Sequence, residues 1–102
     1  MDNNLLKKIR DKALSDFPND YETALFQIEN QIQAINDINN FKDDEVPNNI
    51  LLDIQKKALS DFDDDFETAL YQIKNQIKAW KKINKIDFII KNKQPFQNKK
   101  LG

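Results

Sequence analysis

Apolar residues recur at spacings of three and four through four stretches of the chain, and each stretch marks one face of a helix. Residues 3–17 place Leu5, Leu6, Ile9, Ala13 and Phe17 on a single face, with Leu14 at its edge. Pro18 ends this helix, because the residue before a proline is pushed out of the α region. A second helix is predicted from near Asn19 to Asn39, with Tyr21, Ala24, Leu25, Ile28, Ile32 and Ile35 as its apolar stripe. Asn19 and Glu22, three residues on, have the spacing of a capping box at its start. The turn between the two is short, which makes them antiparallel neighbours in a helical hairpin.

The same pattern returns further along. Ile50, Leu51, Ile54, Ala58 and Phe62 face inward from a third helix. Phe66, Ala69, Leu70, Ile73, Ile77 and Trp80 line a fourth, with Ile83 at the margin and Asp64 and Glu67 at the start. The recurrence is in the residues themselves. Lys12 to Asn39 and Lys57 to Asn84, 45 positions apart, agree at 19 of 28 positions. One hairpin cannot cover its own apolar face, but two can cover each other. The expectation is therefore an all-α protein: tandem duplicated αα-hairpins closing into a four-helix bundle with approximate two-fold internal symmetry. A 45-residue period also occurs in helical solenoids, which need about three or more units, so two units favour the bundle.

On this reading residues 1–91 are a single helical domain. Repeat 1 covers 3–39, a polar and acidic linker covers 40–47, repeat 2 covers 48–84 and an extension covers 85–91. Phe41 and Val46 are the linker residues able to pin it to the core. In the extension, KIDFIIK, a continued helix would use Ile83, Ile86 and Ile90. An extended segment would alternate Ile86, Phe88 and Ile90, and the helix is preferred. Residues 92–102, rich in Lys and Asn and interrupted by Pro95, are expected to form a loose basic tail.

Composition narrows the chemistry. The chain has no Cys and no His, and its one Gly is the last residue. That leaves no thiolate, no imidazole for proton transfer near neutrality and no glycine-rich phosphate loop. Ser15 and Ser60 therefore lack a base. No catalytic residue, metal or cofactor is assigned, and an enzyme is not expected. The run Asp61, Asp63, Asp64, Asp65 and Glu67 does not match a calcium loop, because Phe66 and Gln72 stand where glycine and a bidentate glutamate are needed. It reads as helix-start chemistry. With no run of 18 apolar residues and no signal-peptide pattern, no integral membrane segment is expected, and the default is a soluble cytoplasmic protein.

Charge changes the picture more. Net charge is −1, but residues 1–47 carry 5 basic and 10 acidic side chains, and residues 48–102 carry 11 and 7. The two copies diverge accordingly: Glu29, Gln33, Asn36, Asp37 and Asn40 become Lys74, Lys78, Lys81, Lys82 and Lys85. Lys74, Lys78, Lys81 and Lys85 fall within about 60° of one another on a helix, a single basic ridge flanked by Lys82. Such a ridge is either a solvated face or a contact for an anionic partner. Phe26 and Tyr71, at equivalent positions, point away from their own stripes. Either other residues (Phe41, Val46 or the 85–91 segment) cover them, or they belong to a binding or dimer surface. Trp80, in place of Ile35, is expected to pack in the core.

In length, four-helix outline and trailing C-terminal segment the chain is similar to bacteriocin immunity proteins, which lack so close a tandem repeat. The function expected is a small protein-binding module, an inhibitor, immunity or antitoxin-like protein acting through helix surfaces. Its partner would be another protein, with a homodimer also open. The alternative is binding of nucleic acid or another polyanion through the fourth helix and tail. The single Arg and the acidic first half count against that alternative.

Overall fold

The structure, a computed structural model, describes residues 2–92. They form four helices: α1 (Asn3–Asp16), α2 (Tyr21–Asn39), α3 (Asn48–Asp61) and α4 (Phe66–Lys91), with no strand among the described residues. The all-helical expectation holds, and the four helices pack against one another. Residues 85–91 continue α4 rather than forming an extended segment. The expected tail lies, apart from Asn92, outside the described residues.

The helix starts differ by one residue from the capping pattern read in the sequence. Asp20, not Asn19, caps α2, its carboxylate accepting from the Thr23 N–H at 3.2 Å. Asp65, not Asp64, caps α4 in the same way through Thr68, whose hydroxyl also donates to it at 2.6 Å. Asn19 instead takes a left-handed conformation with φ 64°, which asparagine tolerates better than most residues. This lets the chain reverse within the four residues 17–20. The α1 and α3 helices end alike, with the Phe17 and Phe62 N–H groups donating to the carbonyls of Ala13 and Ala58.

The close helix pairs are α1 with α2, α2 with α4, and α3 with α4. The two hairpins therefore meet through their second helices. These run parallel. Gln31, midway along α2, meets the start of α4 at Asp65 and Phe66, and Asp43, just past the end of α2, meets Lys81. The α4 helix thus begins beside Gln31, ten residues into α2, a stagger of about 15 Å. This replaces the expected two-fold relation. A two-fold axis would bury equivalent residues equally, yet Gln31 is buried where Gln76 is exposed, and Phe66 is 9% exposed where Tyr21 is 70%.

The core follows from this stagger. Ile9, Ala34, Ile35, Ile38, Val46, Leu51, Ala58, Phe66, Ala69, Ile73 and Ile77 form one cluster. Leu5, Ile28, Phe41, Ile50, Ile54 and Trp80 pack on its margin, so Phe41 and Val46 tie the linker to the core as expected, while Trp80 is half-buried at the edge of the core rather than within it. Tyr21 and Leu25, expected in the core, are 70% and 54% exposed, because the side of α2 that carries them faces away from α4. The polar member of the interior is Gln31, whose carbonyl oxygen accepts the Phe66 N–H at 2.7 Å while its amide donates to Asp65 at 3.3 Å. The first N–H groups of a helix have no acceptor in their own helix, so Gln31 supplies one in a buried place.

Ile73 is fully buried and Ile28 only half so. Ile73→Ala should cost about 2–5 kcal/mol and Ile28→Ala clearly less, read as a larger drop in melting temperature for Ile73→Ala by circular dichroism. Gln31→Ala leaves the Phe66 N–H without its acceptor and should cost about 1–3 kcal/mol. Gln76→Ala at the exposed equivalent should stay within about 0.5 kcal/mol in urea unfolding of dilute protein.

Candidate binding surface

The sequence singled out Phe26, Tyr71 and the lysines of α4. Phe26 and Tyr71 are 65% and 67% exposed, so neither Phe41, Val46 nor the 85–91 segment covers them. Tyr71 stands beside the seam between the two parallel helices, and Phe26 lies on α2 just ahead of the point where α4 begins. Asn30, Gln33 and Asp37 of α2 and Glu67, Tyr71 and Lys74 of α4 line a shallow groove of about 280 Å³ there. Phe26 precedes Asn30 by one turn and shares its helical face through the spacing 26, 30, 33, 37. The two exposed rings thus lie on the same side of the α2 and α4 pair, with a groove between the helices to which Ala34 and Leu70 also contribute.

The basic ridge is not uniform. Lys74, Lys78, Lys82 and Lys85 are exposed. Lys81 is half-buried and holds the linker: its ammonium lies 2.7 Å from Asp43 and 3.5 Å from Glu45. The hydrogen bond from Lys81 and then the Glu45 N–H hold the Asp43 carboxyl below its ordinary value. The hydrogen bond to Asp43 in turn raises Lys81 above its own. The Lys81 side chain is therefore a strut between α4 and the 40–47 linker. Lys74 is the one lysine of the ridge that lines the groove.

The acidic residues before α4 divide their work. Asp65 caps the helix. Burial alone would raise its carboxyl, but bonds from Thr68, Gln31 and the Glu67 N–H together lower it. Asp61 pairs with Lys57 at 3.0 Å, as Asp16 pairs with Lys12 at 3.0 Å. Among the described residues no group of three His, Cys, Asp or Glu side chains is placed to hold a metal ion. Ser15 and Ser60 are exposed on the last turns of α1 and α3.

Two features were missed by the sequence reading. Gln31 joins the hairpins, and the signal for it was a glutamine beside the apolar stripe of α2, retained in both copies. The far end of α4 is also apolar on its surface: Ile83, Ile86, Phe88 and Ile90 are 54–62% exposed. No helix among the described residues is long and apolar enough to cross a membrane. No family model, curated protein or solved structure matches the chain.

The ion pair has a defined pH window. Asp43 has a lowered value in the fold, so its contribution is present above the ordinary 3.8 and fades as pH falls through the folded value. Lys81 has a raised value, so its contribution is present below 10.5 and fades as pH climbs through the folded value. Asp43→Asn should therefore lower stability between about pH 5 and pH 10, and the difference from the parent should shrink toward zero on acidification below about pH 3, measured by urea unfolding across pH.

Proposed function

We propose that this chain is a small intracellular protein-binding module built from two copies of one helical hairpin. Its contact surface would be the side of the α2 and α4 pair that carries Phe26, Tyr71 and Lys74. The observation that carries the reading is the pair of exposed rings at equivalent positions of the two hairpins, 65% and 67% exposed, on one side of the α2 and α4 pair, with Tyr71 in the wall of the groove between them. Aromatic side chains supply large contact area at low entropic cost and are enriched where proteins meet. The agreement of the copies at 19 of 28 positions supports duplication. So do the helix boundaries, since α3 begins and ends 45 residues after α1. The rings kept at both positions while the charges around them diverged fit a surface under selection for contact. An inhibitor, immunity or antitoxin-like role fits a small helical chain with no catalytic constellation.

Lys74, Lys78, Lys82 and Lys85, exposed on α4, favour an acidic partner surface and keep a polyanion as the second reading. A nucleic acid would show itself through steep salt dependence, because each neutralised phosphate releases counterions. Binding to an acidic protein through a ring-centred contact would not weaken so steeply.

The experiment is capture from cells of the native host with the full chain and with Phe26→Ala, Tyr71→Ala and Lys74→Glu variants, each checked for helix content. Loss of the same captured protein in the three variants supports the surface, with truncation of a central ring expected to weaken binding by about tenfold or more. Partners retained by all three variants place the contact elsewhere. Retention of the parent protein on nucleic acid at low salt, abolished by Lys74, Lys78, Lys82 and Lys85→Glu, decides for the polyanion.

A further inference from the structure

The packing between α2 and α4 uses two different helix edges, and each edge occurs a second time without its partner. On α2 the edge is Gln31, Ala34 and Ile38, all buried. The residues 45 positions on, Gln76, Ala79 and Ile83, lie on the corresponding side of α4 and are exposed, Ile83 at 56%. On α4 the receiving edge is Phe66, Leu70, Ile73 and Ile77, which is buried or half-buried. Its counterpart on α2 begins with Tyr21 and Leu25, exposed at 70% and 54%. One interface is thus made inside the chain, and the Gln76, Ala79 and Ile83 edge and the Tyr21 and Leu25 end of the other edge stand bare.

We propose that copies of this chain associate head to tail, with α2 of one copy seated in parallel on α4 of the next. The Asp20 and Tyr21 end of α2 would lie against Gln76 as Asp65 and Phe66 lie against Gln31. The proposal rests on reading the two hairpins as equivalent units, and it uses edges distinct from the Phe26 and Tyr71 face.

Three observations name a second copy as the occupant. The chemistry of the contact is present in duplicate: Asp20 caps Thr23 as Asp65 caps Thr68, and Gln76 offers the carbonyl and amide that Gln31 uses. The bare edge of α4 runs on through Ile86 and Ile90, so that 76, 79, 83, 86 and 90 alternate spacings of three and four, the period of a helix-pairing seam. Its counterpart 21, 25, 28, 32 has the same period, and in-chain packing of parallel α2 and α4 shows that such edges fit. Tyrosine at 21, where phenylalanine stands at 66, suits an edge that is wet in one state and covered in the other. The contact is heterologous, so each added copy leaves one edge of each kind free and the assembly grows as an open row.

Sedimentation of the full chain over a range of concentrations tests this. The parent should rise from the mass of one chain to several as concentration increases. Tyr21→Lys with Leu25→Lys blocks one edge, and Ile83→Lys with Ile86→Lys blocks the other. All four residues are more than half exposed, so helix content by circular dichroism should not change. Each double variant alone should remain a single chain. An equal mixture of the two should give a complex of two chains and nothing larger, since each contributes its one intact edge. A parent that stays a single chain up to about 1 mM overturns the proposal. So does continued self-association of either variant, which would mean that an edge pairs with its own kind, or a mixture that fails to pair.

Discussion

The arrangement of this protein depends on the bond between the Gln31 side chain and the first amide of α4. A helix start carries N–H groups with no acceptor in their own helix, and burying one without a partner costs about 1–3 kcal/mol. Gln31 meets that need from the middle of the neighbouring helix, with the Phe66 N–H at 2.7 Å. The position of the acceptor sets the position of α4 along α2. Ile73 and Ile77 then reach the core, and Lys81 arrives beside Asp43. A polar contact that adds modestly to stability in net terms thereby selects one register among several that an apolar seam alone would allow.

Much of this was legible in the residues. Four stripes at spacings of three and four gave four helices, and Pro18 and the polar 40–47 segment gave the breaks between them. The wheel position put Phe26 and Tyr71 off their own stripes but left open whether other residues cover them, and the fold leaves both exposed. Burial of the second helix was read less well. Tyr21 and Leu25 sit on the same kind of stripe as Phe66 and Leu70, and periodicity reports the stripe without reporting what stands opposite. That is settled by how the hairpins stack, which is a tertiary fact. The cap was misplaced by one residue for a related reason. Asn19 with Glu22 and Asp20 with Thr23 both offer a side-chain oxygen to a free amide, and the left-handed turn at Asn19 decides between them.

The lysines show how context divides a uniform pattern. A wheel makes Lys74, Lys78, Lys81 and Lys85 equivalent. The linker makes them unequal, because Asp43 and Glu45 reach Lys81 and leave the rest of the ridge exposed. The linker is held twice, by this ion pair from outside and by Val46 in the core beneath it. Its acidic residues thus bind it to α4, the last helix, while the chain itself continues into α3.

One difference between the copies matches the stagger. At 66, against Gln31 and the α2 edge, phenylalanine has no hydroxyl that would need a partner in the dark, whereas Tyr21 keeps its hydroxyl where water reaches it. Gln31 and Gln76 remain identical although one is buried and hydrogen-bonded and the other is exposed. Exposed positions such as Lys12 and Lys57, Ser15 and Ser60, and Glu22 and Glu67 are identical in the two copies as well, so the identity at Gln76 reflects how close the copies are. The amide of Gln76 is thereby still in place for a second use of the contact that Gln31 makes inside the chain.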